Sequence, residues 1–165
     1  MDLAALFAEH HEPLFRYLAR LTGDPDSAAD AAQEAFIKLL EKPPAPGHTR
    51  AWLYRVGTNA ALEAARTRSR RLVLVRGAGD KVPVGDAPAT PDEELARTER
   101  RERVRHALKR LNEKERAVLL LREEGFSHKE IAEQVGTTTG SVGTMIARAL
   151  DKLADELELD EEIVA

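Results

Sequence analysis

Residues 125–153 read GFSHKEIAEQVGTTTGSVGTMIARALDKL, and both helix starts of a helix-turn-helix are written into that stretch. Ser127 and Glu130 have the Ser-x-x-Glu spacing of a capping box, in which the hydroxyl accepts from the amide three residues on and the carboxylate returns to the serine amide. Ile131, Ala132 and Val135 follow on one apolar face, and Gly136 stands where a left-handed, helix-ending residue is needed. Thr137, Thr138 and Thr139 supply hydroxyls for a second cap, Thr138 being the best placed. Val142, Ile146, Ala149, Leu150 and Leu153 then recur at helical spacing, leaving Ser141, Thr144, Arg148 and Lys152 for another surface. Two short helices joined by a tight glycine turn can set the second into a DNA major groove. The same spacing also fits a helical hairpin that only packs.

The chain of 165 residues is long enough for one ordinary domain or two small ones, and it contains no cysteine. Disulfides and thiolate metal sites are thereby excluded. No apolar run approaches the roughly 20 residues needed to span a bilayer, and MDLAALFAEHHEPLF puts no basic leader ahead of an apolar block. A cytoplasmic protein with no membrane insertion is expected. The net charge of -4 is unusual for an autonomous DNA binder, because phosphate affinity comes from Lys and Arg. Where the charges sit matters more than their sum.

Apolar periodicity is helical nearly everywhere, and only residues 72–75 look like a short strand. Leu3, Leu6, Phe7, Leu14, Leu18 and Leu21 mark a first helix ended by Gly23 and Pro25, with Pro13 able to kink or divide it. A second begins at Asp26 and Ser27 and runs to the breaker stretch KPPAPGHT; Thr49 is placed to cap a third that carries Trp52, Leu53, Val56, Ala60 and Leu62. GAGDKVPVGDAPATP then has almost nothing to bury and reads as a flexible linker. Beyond it a highly charged helix leads to Asn112, whose spacing to Glu115 suggests another cap. The expected fold is all-α, two small helical domains joined by a flexible linker, the second ending in the helix-turn-helix. Their bounds are 1–75, a linker at 76–91, 92–156, and an acidic tail at 157–165 expected to be solvated.

Between residues 50 and 76, Arg50, Arg55, Arg66, Arg68, Arg70, Arg71 and Arg76 face one acid, Glu63, a local balance of +6. A nucleic-acid backbone is the natural partner, and Trp52 and Tyr54 beside the arginines suit the stacking of unpaired bases. A core tryptophan beside a solvated basic face would give the same pattern. The five histidines offer little to catalysis: His10 and His11 are neighbours rather than an i, i+4 pair, and no HExxH or phosphate-cradling glycine loop is present. No catalytic residue, metal or cofactor is expected.

These residues resemble those of the extracytoplasmic-function group of bacterial RNA polymerase sigma factors. Asp30, Gln33, Glu34 and Phe36, then Trp52, Leu53, Tyr54 and Arg55, then Asn59 with Arg66, Arg68, Arg70 and Arg71 are similar to that group's region 2. The stretch LNEKERAVLLLREEGFSHKEIAEQVGTTTGSVGTMIARALDKL is similar to its region 4, so the likeness covers nearly all of residues 5–155. The resemblance implies that Asp30, Gln33, Glu34 and Phe36 dock on core RNA polymerase. It implies that Trp52, Tyr54, Arg55, Asn59, Arg66, Arg68, Arg70 and Arg71 hold the melted, single-stranded minus-ten element of promoter DNA. The helix capped by Thr138 would read the minus-thirty-five duplex through His128, Lys129, Thr138, Thr139, Ser141, Thr144 and Arg148. An anti-sigma protein is a further partner that the group's pattern allows.

One departure stands out. The outward positions of the recognition helix are Gly143, Thr144, Met145, Ala147, Leu150 and Asp151, leaving Arg148 and Lys152 as its cations, and Gly143 costs roughly 1 kcal/mol of helix stability relative to alanine. A stand-alone helix-turn-helix regulator, or a sigma-like module that binds polymerase without opening promoters, remains an alternative at this point.

Overall fold

The computed structural model describes residues 1–72 and 91–164, the side chains of 72 and 159–164 excepted. The described residues form seven helices and no strand: α1 (Leu3–Thr22), α2 (Pro25–Glu41), α3 (Thr49–Leu72), α4 (Pro91–Arg110), α5 (Glu113–Glu123), α6 (His128–Val135) and α7 (Thr139–Val164). Leu72 closes α3 instead of opening a strand; residues 73–75 and the expected linker lie outside the described residues.

Pro13 does not divide α1. The helix carries Leu14, Tyr17, Leu18 and Leu21 on one buried face, and burying that face outweighs one missing backbone bond. Gly23, at φ 68°, then ends it in the left-handed conformation. The next helix starts a residue earlier than the sequence suggested, because the Asp24 carboxylate accepts from the Asp26 amide at 3.2 Å and Pro25 is preset for a first helical position. Thr49 is likewise the first residue of α3 and not its cap: the His48 carbonyl already accepts the Trp52 amide at 3.0 Å.

The first three helices enclose a core of Leu14, Leu18, Leu21, Ala28, Ala32, Ala35, Leu39 and Leu53. Polar groups buried there are satisfied: the Tyr17 hydroxyl and Thr58 Oγ1 are 2.8 Å apart, and the Ser27 hydroxyl bonds Asp24 at 2.6 Å. Gly57 lets α3 press against α1; a Cβ there would stand 3.2 Å from Leu18 Cδ1 and 3.4 Å from Leu14 Cδ1.

In the second unit α4 to α7 pack around Ala117, Val118, Leu121, Ile131, Val142 and Ile146. Asn112 and Glu115 make the full reciprocal capping box, at 2.8 and 3.1 Å. Glu115 also receives Lys152 Nζ at 2.6 Å, and that bond, aided by the Asn112 amide, holds its carboxyl below the usual range despite burial. The helix α7 continues unbroken through the acidic stretch from 157 to Val164. The two units meet face to face, α3 on α6 and α1 on α5.

Candidate nucleic-acid interface

The helix-turn-helix forms as its local chemistry dictates. Ser127 Oγ accepts from the Glu130 amide at 3.1 Å, and Gly136, at φ 71°, returns its amide to the Ala132 carbonyl. Thr138 Oγ1 takes the Ser141 amide at 3.3 Å and lies 2.7 Å from the Ser141 hydroxyl, capping α7 as expected. Val142, Ile146 and Ala149 turn inward, whereas Leu150 is 45% exposed and lies outside the face assigned to it. His128, Lys129, Thr138, Thr139, Thr144 and Arg148 are all exposed and Ser141 partly so. Thr138 and Thr139 stand at the start of α7, where helix amides and hydroxyls suit a phosphate.

Nothing packs against Gly143 tightly enough to require a glycine. A Cβ would find only His128 Cε1, at an ordinary 3.9 Å. Gly143→Ala is therefore expected to stabilise the fold by about 0.5–1 kcal/mol through helix propensity, seen as a raised midpoint in thermal unfolding.

Along α3 the arginines divide. Arg55, Arg66, Arg70 and Arg71 are exposed with Asn59, and Asn59, Arg66 and Arg70 line an open groove that α3 shares with Lys114 and Val135. Arg68 instead reaches back to the start of α2, donating to Asp24 Oδ2 at 3.1 Å and to the Ser27 hydroxyl. The Ser27 hydroxyl, bonded to Asp24 at 2.6 Å, together with the Asp26 amide and Arg68, draws the Asp24 carboxyl below its ordinary value. Trp52 is half-buried against the core, and Tyr54 is only 1% exposed. Burial pushes the Tyr54 phenol well above its usual pKa, and its hydroxyl donates to Glu124 at 3.1 Å. The expectation that Tyr54 is open to a base is thus corrected for this conformation: its ring lies between Tyr17 and Phe126, each at a centroid distance of 5.0 Å.

The outward face of α2 carries Asp30, Gln33 and Glu34, with Glu34 paired to Lys38 at 2.7 Å. Phe36 is corrected in the same way, for it turns inward at 6% exposure, against Phe7 and His11. The apolar groups that do stand beside the acids are Ile37, 49% exposed, and Leu40, 55% exposed. Sequence reasoning missed them, although 30, 33, 37 and 40 fall on one helical face.

Comparison with known proteins bears on this arrangement directly. Residues 6–71 match the Sigma-70 region 2 family, and residues 101–153 match Sigma-70, region 4. The ECF RNA polymerase sigma factor SigL of Mycobacterium tuberculosis is 33% identical over 156 residues, covering 92% of this chain and 86% of that protein. The RNA polymerase sigma factor YlaC of Bacillus subtilis is 28% identical over 161 residues, with 95% and 92% covered. Among solved structures, the sigma factor RpoE of Bartonella quintana, crystallised with the anti-sigma factor NepR, superposes with a TM-score of 0.73 at 23% identity, over 96% of this chain and 98% of that one. CnrH, in complex with the cytosolic domain of CnrY, gives 0.61 at 27% identity, over 96% and 88%. The chain belongs to the extracytoplasmic-function sigma factors, the subunits through which bacterial RNA polymerase recognises promoters.

Proposed function

We propose that this sigma factor divides its work among three surfaces. The α2 face of Asp30, Gln33, Glu34, Ile37 and Leu40 docks on core polymerase, its acids meeting basic side chains and its two exposed aliphatics giving the contact an apolar centre. Arg55, Asn59, Arg66, Arg70 and Arg71 hold the phosphates of the melted minus-ten strand, while Trp52 and Tyr54, once accessible, stack on its bases. His128, Lys129, Thr138, Thr139, Ser141, Thr144 and Arg148 read the minus-thirty-five duplex, and bare Gly143 leaves a flat place where a DNA backbone can come close. The protein works by binding, in the cytoplasm where the polymerase is, with no bond made or broken by its own residues. The RpoE structure holds an anti-sigma factor and the CnrH structure the cytosolic domain of CnrY, and we infer that an anti-sigma partner restrains this chain too.

The observation that carries this reading is the α2 face, where two large aliphatics stand exposed among carboxylates. The double variant Glu34→Arg, Ile37→Asp is expected to lose at least about 30-fold in affinity for core polymerase, the scale of one lost interface anchor. Its melting temperature should stay close to that of the parent, since both side chains are solvent-facing. Core binding of unchanged strength would overturn the assignment.

A further inference from the structure

Leu150 rides on the recognition helix at 45% exposure, outside the face that packs on the core, and Val104 of α4 stands 41% exposed beside the same opening. Both line a groove of about 460 Å³ enclosed by α1, α4, α5 and α7. That volume falls within the roughly 300–1,000 Å³ of small-ligand sites. The apolar part of the lining is aliphatic, with Leu108, Leu119, Leu120 and Leu153 joining Val104 and Leu150. The groove stands apart from the surfaces assigned above to polymerase and to DNA.

Four guanidiniums line the same groove. Arg16 and Arg20 come from α1, and Arg101 and Arg105, four positions apart, from one face of α4. Glu123 is the acid among the described lining residues, so four cations meet one carboxylate and the local balance is +3. Arg16 donates to Glu12 at 2.8 Å and Arg105 to Glu102 at 2.7 Å, each along its own helix. Such pairs with exposed acids hold weakly, and each occupies one nitrogen of a group that has five N–H donors. A second anion can therefore be taken up without breaking the fold.

Among the described lining residues none carries a hydroxyl, a side-chain amide or an aromatic ring. A nucleotide or a sugar, which needs several hydrogen-bond partners or a ring to stack on, finds only guanidiniums there. A DNA backbone would meet the arginines and leave the aliphatic floor in water. An alkyl chain ending in one anion uses both halves of the site: the leucines take the tail out of water, and an arginine fork accepts a carboxylate through two parallel bonds.

We propose that this groove binds a free fatty acid, its alkyl chain laid over Val104, Leu108, Leu150 and Leu153 and its carboxylate held among Arg16, Arg20, Arg101 and Arg105.

Calorimetric titration of the full chain with octanoate, decanoate and laurate, kept below micelle-forming concentrations, tests the assignment. One site is expected, with affinity rising about fourfold for every two carbons added, as two half-buried methylenes give. Dodecyltrimethylammonium, which has the same tail as laurate and the opposite charge, should bind at least about tenfold more weakly. Leu150→Glu sets a carboxylate against the tail and Arg20→Glu reverses a charge at the head; each is expected to weaken laurate about tenfold. Both side chains are exposed, so the melting temperatures should stay near that of the parent. The chain-length and charge comparisons use the parent alone and hold even where a variant unfolds. Affinity that does not change from octanoate to laurate, equal binding of laurate and its cationic counterpart, or a folded variant that binds laurate as the parent does would overturn the site. Binding to phosphatidylglycerol vesicles without binding to laurate would overturn it as well, and would make the groove a surface for membranes.

Discussion

Replacing Arg66, Arg70 and Arg71 together with alanine is expected to weaken the grip of the polymerase holoenzyme on the melted minus-ten strand about 100-fold at 0.1 M salt. Each phosphate neutralised on single-stranded DNA releases about 0.7 of a counterion, so three lost contacts remove about 2 from the slope of log affinity against log salt, which is about two decades at that concentration. These three are chosen because each is exposed, whereas Arg68 is already committed to Asp24 and Ser27 within the domain. The measurement is strand binding by the holoenzyme over a salt titration. Core polymerase affinity should not move, because the substituted side chains are on α3 and the proposed docking face is on α2. An unchanged salt slope would show that these arginines do not sit on phosphates.

The largest stability effect is expected at Arg116. Its guanidinium donates to three carbonyls, Leu108 at 2.8 Å, Leu111 at 3.1 Å and Leu21 at 2.8 Å, and so seals the end of α4 as well as that of α1. Burial draws its pKa down from the ordinary arginine value, yet arginine retains its proton at neutral pH. Arg116→Met keeps the aliphatic volume but strands the part-buried Leu21 and Leu111 carbonyls, while Leu108 keeps the Leu111 amide at 3.2 Å. A loss of about 3 kcal/mol is expected in urea unfolding, less than the sum of three charge-assisted bonds because water reaches part of the site. Arg116→Lys should recover only a minor part of it, since a single ammonium cannot serve three carbonyls set around a planar fork. A loss under about 1 kcal/mol for the methionine variant would mean that water replaces the guanidinium at little cost.

What the sequence made legible was governed by neighbours along the chain. Ser127, Gly136 and Thr138 fix the helix-turn-helix through bonds spanning three or four residues, and they stand where local rules put them. The breaker stretch before α3 and the cap at Asn112 belong to the same class. What was not legible depends on partners far away in the chain. Arg50 and Glu124 are 74 positions apart, and no periodicity announces their contact. A signal for it did exist in α3, whose apolar residues Trp52, Leu53, Tyr54, Val56, Ala60 and Ala61 wrap too much of the helix for one buried side. A helix so covered must meet two neighbours. On α2 the confusion was between adjacent residues: Phe36 and Ile37 are both apolar, only one can face out, and the inward place falls to the ring tilted against Phe7.

Gly57 is buried, and it sets how closely α3 approaches α1, and α1 in turn carries α2. The face proposed to dock on the enzyme and the arginines proposed to hold the strand are therefore kept at a fixed gauge by one missing methyl group. A bulkier residue would widen that gauge, so that polymerase and strand, each still bound by intact side chains, would be offered to one another out of alignment. On that reading promoter opening depends on a position in the domain's interior, which sets a tolerance on distance rather than a demand for chemistry.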